Sequence, residues 1–333
     1  MLTTLTRKFF LTASILSMLL PGSLSAMMAG TAPDSPASRV DAIVANSDWS
    51  GAVAIRTGGN VYSGVLLGDH HVLTAAHIAS GAVAKPEELK VIINVPGEAS
   101  VIAASRIDVF PGYDFPYNDL ALIHLAKSAP AEALRYRVQD APIKPGASII
   151  TLVGYGGSGQ GDTGVSTGSN ESIRRIGENV VDALPDRIDA SGRSSAFYLY
   201  DFDGPTGTGP LGGITLGNAR ETMVAGGDSG SPAFVTSAGR IVVMGINTFA
   251  TPLGTGSAIT YTFGQGGGGM RLSDPKFISW LRTASGNEVR LASEPVGQLE
   301  GMLVPALAGA GAAGSALLAL MLKRRNRKSS KTQ

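Results

Sequence analysis

Residues 226–232 read GGDSGSP, in which three glycines surround a single Asp-Ser pair. A strand boundary rarely needs this much backbone freedom, since glycine readily adopts backbone angles that are closed to other residues. A serine hydroxyl held in such a turn is a candidate nucleophile, provided that the fold brings a general base beside it. A base must therefore be sought elsewhere in the chain.

A histidine ends a predicted strand far upstream of this turn. Residues 63–77 (SGVLLGDHHVLTAAH) are typical of a strand, a turn, a second strand and then His77. Together with GGDSGSP, this segment resembles the trypsin-like (chymotrypsin-fold) serine proteases, whose catalytic residues run in the order His, Asp, Ser. The resemblance implies that His77 is the general base and Ser229 the nucleophile.

The resemblance also implies an aspartate between these two residues, at the start of a buried strand. The segment NDLALI (118–123) is similar to the family's pattern, with Asp119 leading an apolar run. Asp108 and Asp114 compete for this role, but neither opens a predicted strand. We therefore expect Asp119 to orient His77 and to stabilise the imidazolium ion that forms during catalysis.

Further residues follow from the same resemblance. The backbone N–H groups of Gly227 and Ser229 are expected to form the oxyanion hole. Met223 stands where trypsin has an aspartate, so we expect a small or medium apolar residue before the scissile bond, because a basic one would stay unpaired. The segment expected to pair with substrate as an added strand comprises Thr248, Phe249 and Ala250.

Activation is expected to involve Asp228, the residue before the nucleophile. In activated members of the family this residue pairs with a newly freed N-terminal ammonium group. Val40, which follows Arg39, is the candidate for that new N-terminus, and residues 26–39 would then be a propeptide. The alternative is that Asp228 binds local backbone amides.

The body of the chain is expected to be all-β. Short β-branched runs alternate with glycine turns, and 44% of the 333 residues are hydrophobic. The predicted strands cover residues 51–55, 61–67, 72–75, 89–95, 120–125, 148–153, 233–235, 241–246 and 258–263. With the resemblance, the expected domain spans 40–285 and holds two six-stranded antiparallel Greek-key β-barrels, about 40–140 and 147–270, with a closing helix at 273–284.

The two ends are predicted to direct export and tethering. Residues 1–25 indicate a secretory signal, with an uncleaved anchor as the alternative. A stalk (286–301) precedes an uncharged stretch (302–322) that is long enough to span a membrane, although a buried globular helix is the alternative. The basic tail (323–333) should stay cytoplasmic, with the body on the periplasmic or extracellular face. The C-terminal end of the chain resembles bacterial PEP-CTERM and GlyGly-CTERM sorting signals. This resemblance implies a sorting protease as a partner.

Composition excludes several functions. The chain has no cysteine, which excludes thiol catalysis, and its four histidines lack a metal-binding spacing, so no metal or cofactor is expected. Two of the 27 Lys and Arg residues lie in 1–25 and six in 323–333, leaving 19 against 26 acidic residues between them. This balance argues against nucleic acid as a partner.

We therefore expect a secreted or surface-anchored serine endopeptidase that acts on protein or peptide through an acyl-enzyme. The alternatives are a catalytically silent binding module with a protease fold and a surface adhesion protein. The carboxylates within residues 182–203 lack an EF-hand spacing, so solvated acidic loops are expected there in preference to a calcium site.

Overall fold

The computed structural model describes residues 27–207, 209–254, 256 and 258–295. Most of this part of the chain is β-structure. The first half contains strands β1 (Ala52–Thr57), β2 (Asn60–Leu66), β3 (His71–Thr74), β4 (Lys90–Ile93), β5 (Ser100–Val109) and β6 (Ala121–Leu125). They close into a barrel in the order β1-β2-β3-β6-β5-β4. The prediction of a closed six-stranded barrel in this half is confirmed.

The pairing of β3 with β6 positions the residues of interest. The register places Thr74 opposite Ala121 and His71 opposite His124, in antiparallel strands. The end of β3 therefore lies beside the start of β6. A one-turn helix, α1 (Ala76–Ala79), follows β3 directly, so His77 and the residues just before β6 meet at one edge of the barrel.

The second half differs from the predicted six-stranded barrel. Its strands are β7 (Arg137–Val138), β8 (Ile149–Gly154), β9 (Ser158–Gln160), β10 (Gly164–Thr167), β11 (Arg175–Val180), β12 (Asp186–Ile188), β13 (Ser194–Asp201), β14 (Pro232–Ser237), β15 (Arg240–Thr251) and β16 (Gly266–Arg271). β9 and β10 form a hairpin, and the others form an eight-stranded sheet in the order β11-β8-β14-β15-β16-β13-β12, with β7 on β15.

This second sheet is larger because two short strands, β7 and β12, join it. Beyond Val180 the chain leaves the ladder with β8 and meets β13 through a bridge between Ala183 and Leu199. The two halves share one apolar core, to which the barrel contributes Leu73 and Leu122 and the second sheet contributes Phe234. A common core holds the two halves against each other.

The predicted strand at 258–263 is wrong, and the strand that takes its place, β16, begins at Gly266. The strand begins with four consecutive glycines, and the sequence does not predict a strand there because glycine has low β-propensity. A Cβ on Gly269 would lie 1.8 Å from the Ile246 carbonyl oxygen, and one on Gly268 would lie 2.4 Å from the Tyr198 carbonyl oxygen. Only glycine allows the neighbouring backbones to approach so closely.

The predicted closing helix is confirmed as α2 (Pro275–Ala284). The Asp274 carboxylate accepts a hydrogen bond from Lys276 N, at 2.9 Å, and caps the first turn. Phe277 and Leu281 are buried, and the Phe277 ring lies 5.0 Å from that of Phe110, edge to face. The helix therefore seals the shared core.

The ends of the chain are only partly described. Residues 286–295, predicted as part of a stalk, lie against the body: Val289 is buried, and Leu291 bridges to Val138. The predicted signal (1–25), apolar helix (302–322) and basic tail (323–333) lie outside the described residues. Within the described part of the chain, the helices are too short or too polar to cross a bilayer.

The acidic segment expected to form solvated loops is solvated only in part: the Asp186 side chain is 71% exposed, but the end of the segment is buried. Asp201, Asp203 and the more distant Glu221 are each less than 5% exposed. Burial, together with the charges of Glu221 and Asp201, raises the pKa of Asp203 to about 7. No spacing motif marks this cluster, because its members come from separate segments that the fold brings together.

Candidate active site

His77 and Asp119 form a two-point contact at the edge of the barrel. The ring nitrogen Nδ1 of His77 lies 2.7 Å from Asp119 Oδ2, and the backbone N–H of His77 donates to Asp119 Oδ1 at 2.8 Å. Asp119 is fully buried, whereas the His77 side chain is 25% exposed. Nδ1 therefore faces the carboxylate, and Nε2 is the ring nitrogen left for other partners.

Asp119 is positioned by the residue before it. Asn118 has a φ of +53°, and its backbone N–H donates to Ser195 Oγ at 2.9 Å. The Ser195 hydroxyl donates back to Asn118 Oδ1 at 2.9 Å, and Lys276 Nζ donates to the same oxygen at 2.9 Å. Contacts from the second sheet and from α2 therefore fix the turn that carries Asp119 under His77.

The two competing aspartates have other partners. Asp108 lies 2.8 Å from His124 Nε2 and pairs with Arg106. Asp114 is 63% exposed at its side chain and pairs with Arg193. Neither contacts His77 in the described structure, so the geometry brings Asp119 alone of the three to the histidine.

The turn that carries Ser229 packs against the segment that carries His77. Gly230 has a φ of +81°, and a Cβ added there would lie 2.1 Å from Thr74 Oγ1 and 3.0 Å from Ile78 Cδ1. A side chain at this position would push the turn away from the histidine segment. Among the described residues, the Ser229 hydroxyl forms no hydrogen bond with the His77 ring. Such contacts are often long before substrate binds and tighten afterwards.

Ser63, which we did not single out as a functional residue, ties the serine turn to the barrel. Its backbone N–H donates to the Ser229 carbonyl oxygen at 3.1 Å, and its hydroxyl donates to the Gly227 carbonyl oxygen at 3.1 Å. The same hydroxyl accepts from Tyr155 N at 3.0 Å. The chain has no cysteine to cross-link this region, so these buried hydrogen bonds hold the turn.

The backbone of the turn leaves two amides available. Gly227 has a φ of +95°, and a Cβ there would lie 2.7 Å from the Ser169 Cβ and 2.9 Å from the Gly156 Cα. Within the described residues, the N–H groups of Gly227 and Ser229 donate to no protein acceptor. Both donors are therefore free to bind a ligand oxygen.

Asp228 points away from the serine into the second sheet and is fully buried. Its Oδ1 accepts from Gly156 N at 2.8 Å, and its Oδ2 accepts from Ala225 N at 2.9 Å. The backbone of Met27 also donates to this carboxylate. Burial raises the pKa of Asp228 to about 6 against these hydrogen bonds and the charge of Arg175.

Met27 occupies the place that the sequence suggested for Val40. Met27 is fully buried, its carbonyl oxygen accepts from the Ser158 hydroxyl, and Met28 N donates to the Met223 carbonyl oxygen at 3.0 Å. Val40 is 43% exposed and bridges to Arg175 instead. The preceding Arg39 is buried, where its guanidinium group pairs with Asp34 at 2.5 Å. The structure therefore does not bring Val40 to Asp228.

The predicted substrate segment lies at the end of β15. A register shift against β16 falls between Asn247 and Phe249, so Thr248 is the extra residue of a bulge. Phe249 and Ala250 border a cavity of about 50 Å³ beside Ser229, which Tyr261 also lines. Met223 is fully buried in the core, and its neighbours Val224 and Ala225 line the cavity.

A second, wider cleft of about 510 Å³ continues from this cavity. Phe249 and Ala250 line it on one side and Phe115 on another. The Phe115 ring lies 5.5 Å from the His77 ring, edge to face. An extended peptide placed along Phe249 and Ala250 would therefore cross the His77 edge of the barrel with apolar surface on both sides.

Together, these features are typical of one class of protein. A buried aspartate orients a histidine on a closed barrel, and a glycine-rich serine turn from a second sheet packs against that histidine's segment, as is typical of serine peptidases. The model of the trypsin family, described as Trypsin, matches residues 39–183. This range carries a trypsin-family domain that contains His77 and Asp119 and ends before Ser229. The family suggests a serine peptidase with protein substrates. No curated protein matches the chain.

Proposed function

We propose that this protein is a serine endopeptidase that cleaves peptide bonds through an acyl-enzyme on Ser229. The observation that supports the proposal best is the two-point contact of His77 with the buried Asp119. The turn that carries Ser229 packs against Thr74 and Ile78, which flank this histidine. The finer expectation of two closed barrels belongs to the same proposal, since the second sheet approaches closure only through the Ala183–Leu199 bridge.

In the proposed mechanism, Ser229 Oγ attacks the scissile carbonyl carbon while His77 Nε2 takes the hydroxyl proton. Asp119 keeps the other ring proton on Nδ1 and stabilises the positive ring. The N–H groups of Gly227 and Ser229 bind the negative oxygen of the tetrahedral intermediate. The C–N bond then breaks as His77 returns the proton to the leaving amine. Water releases the acyl group by the same steps in reverse.

The small cavity supports a preference for small side chains before the scissile bond. Its volume of about 50 Å³ offers little room, and the Tyr261 hydroxyl lies near Gly226, at 3.6 Å from a Cβ added there. Val224 and Ala225 present apolar surface, and no carboxylate is among the residues that line it. A guanidinium or ammonium group would be desolvated there without a partner.

We propose that the N-terminus that activates the enzyme is Met27 and not Val40. Cleavage of the predicted signal after Ala26 would free the Met27 amino group beside the buried Asp228 carboxylate, which already accepts from the Met27 backbone. An ammonium group in that position would form a charge-assisted hydrogen bond and lock the turn that holds Gly227 and Ser229. Export alone would then produce active enzyme, without removal of a propeptide at 26–39.

The cellular setting is part of the proposal. Export, a tether at 302–322 and removal of the tail by a sorting protease rest on the sequence of the two ends. An intact mass that lacks Arg324 and Arg325 in the mature protein would support sorting, and a mass that retains both would contradict it.

Hydrolysis of peptide libraries by the purified protein tests the proposed function. We expect cleavage after small apolar residues by the wild type and a loss of about 10⁴-fold or more in kcat for Ser229→Ala. Ser231→Ala is the matched control, because Ser231 lies in the same turn, where it is buried, but has no part in the proposed mechanism. A folded wild type without hydrolytic activity would favour the silent binding module, and dominant cleavage after Arg or Lys would contradict the specificity.

A further inference from the structure

A second group of acidic side chains lies apart from the catalytic residues. Asp201 ends β13, Asp203 follows it, and Asp182 and Glu221 come from neighbouring segments. Backbone hydrogen bonds join them: Asp203 N donates to Glu221 Oε1 at 2.6 Å, and Asp201 N donates to Asp182 Oδ2 at 3.0 Å. Hydrogen bonds therefore link four acidic residues from three parts of the chain.

This cluster has no basic partner in the described part of the chain, where none of its members forms a salt bridge. Arg39 donates to the carbonyl oxygens of Arg220 and Glu221, but Arg39 and Arg220 both pair with carboxylates outside the cluster. Arg39 pairs with Asp34, and Arg220 pairs with Glu178. Buried carboxylates without a cation are costly, so a positive charge from outside the chain would stabilise the fold here.

One oxygen of the cluster has no partner at all. Asp203 is 4% exposed, and its Oδ1 is buried without a hydrogen bond from any described residue. A Cβ added to Gly209 would lie 2.8 Å from this oxygen and 2.6 Å from Asp201 Oδ2. The two carboxylates therefore face the same small space, and the glycine keeps that space open.

Other hydrogen bonds of the cluster hold the loop that follows β13, and one of them involves the same Asp201 oxygen. Leu211 N donates to Asp201 Oδ2 at 2.6 Å. Glu221 Oε2 accepts from Leu216 N and from the Thr215 hydroxyl, each at 2.8 Å. Glu221 is thus saturated by neutral donors. Asp203 Oδ1 alone of these oxygens is left without a partner in the described residues, and it faces the space beside Gly209 that Asp201 Oδ2 also borders.

We propose that Asp201 and Asp203 form a two-carboxylate binding site for calcium. Calcium accepts six to eight oxygens at about 2.3–2.6 Å in irregular arrangements, and it takes main-chain carbonyl groups and water as readily as carboxylates. No three His, Cys, Asp or Glu side chains of the described residues converge as a metal site, so main-chain carbonyl oxygens and water would have to complete the shell. Two charged ligands give a dissociation constant of about 10⁻⁴–10⁻³ M, as in extracellular modules.

The site would stabilise the substrate-binding side of the protein without touching the chemistry. The loop clamped by Asp201 leads through Glu221 into Thr222, whose hydroxyl donates to the Met28 carbonyl oxygen. From there the chain runs to the cavity wall at Val224 and Ala225. Calcium binding should therefore raise resistance to unfolding, and the proposal does not depend on peptidase activity.

Thermal unfolding and calorimetric titration of the full chain test the proposal. The protein carries Ser229→Ala to prevent self-cleavage, is purified in detergent and is treated with EDTA at pH 8. We expect 10 mM CaCl₂ to raise Tm by about 3–8 °C and to titrate with one site. Equal MgCl₂ should give less than half that shift, because magnesium needs near-octahedral geometry.

Asp203→Asn supplies the decisive variant. Without calcium it should unfold at or above the parent Tm, because it removes an uncompensated buried charge, so failure to fold is not expected. It should lose the calcium response by at least tenfold in affinity. Asp48→Asn, at an exposed position, is the matched control and should respond like the parent. No heat or shift with calcium, an equal shift with magnesium, or unchanged affinity in Asp203→Asn would each overturn the proposal.

Discussion

Replacing Asp119 by asparagine tests the orientation of the histidine with almost no change in shape. The backbone N–H of His77 can only donate, and it lies 2.8 Å from Asp119 Oδ1. That amide therefore selects the oxygen of the new side chain and leaves the NH₂ group facing His77 Nδ1, where the carboxylate oxygen now lies at 2.7 Å. Two donors cannot share this contact, so the ring must carry its proton on Nε2.

A ring protonated at Nε2 cannot accept the Ser229 proton. We expect kcat/KM to fall by about 10⁴-fold, which corresponds to about 5.5 kcal/mol of transition-state stabilisation. Stopped-time hydrolysis of a peptide anilide from pH 6 to 10 measures the loss, and thermal unfolding checks that the fold is kept. Asp114→Asn, at a position paired with Arg193, is the control and should stay within twofold of wild type. An Asp119→Asn enzyme within tenfold of wild type would refute the assigned role.

The N-terminus, the cavity wall and a buried histidine can each be tested separately. A protein that begins at Met27 should exceed one with a single extra N-terminal residue by about 10- to 100-fold in kcat/KM, the worth of one charge-assisted hydrogen bond, and equal rates would contradict activation by this group. Glycine tolerates the φ of +59° at position 261, so Tyr261→Gly should fold and enlarge the cavity. In a peptide library, the rate of cleavage after Phe or Leu should rise about tenfold relative to that after Ala. An unchanged cleavage profile would show that Tyr261 does not limit the size of the side chain that the cavity accepts. Burial and the charge of His124 lower the pKa of His71 below 6.5, although the charge of Glu288 opposes them. The neutral ring therefore stabilises the fold above pH 6.5, and this stability is lost as the pH falls through the lowered pKa. The Tm of His71→Gln should decline less steeply than that of the wild type below pH 6.5, and an equal decline would exclude His71 as the cause.

The order of short motifs along the chain was enough to select the candidate residues of the site. The apolar run after Asp119 predicts β6, and the run before His77 predicts β3, so their meeting needs only that these two strands pair. The sequence alone could not establish that pairing, because nothing local encodes which strands become neighbours. The role of Ser63 could not be predicted for the same reason, because it depends on hydrogen bonds with Gly227 and Ser229, which are distant in the sequence.

Strand prediction failed where packing outweighs propensity. The glycines of β16 have no side chains to signal a strand, and they are used because two neighbouring backbones come too close for a Cβ. The apolar run 258–263 has the opposite character, with a strand-like composition but an irregular path in which Tyr261 has a positive φ. Periodicity and composition could not distinguish these two cases.

The N-terminus and the carboxylate cluster show a third limit. A sequence motif for a new N-terminus pointed to Arg39 and Val40, but the fold buries Arg39 in an ion pair and delivers Met27 to Asp228. Likewise, the acidic residues between 182 and 203 are predicted to lie in solvated loops, but the fold buries Asp201 and Asp203 near Glu221. Long-range packing decides which charged side chains are buried, so the local charge pattern cannot predict their burial.

Covalent labelling with a fluorophosphonate, followed by mass spectrometry of the modified peptide, tests the central claim most directly. We expect a single adduct on Ser229, absent in Ser229→Ala and formed at least about 10³-fold more slowly in His77→Ala. An adduct on a different serine, or labelling of Ser229 at an unchanged rate without the imidazole of His77, would contradict it.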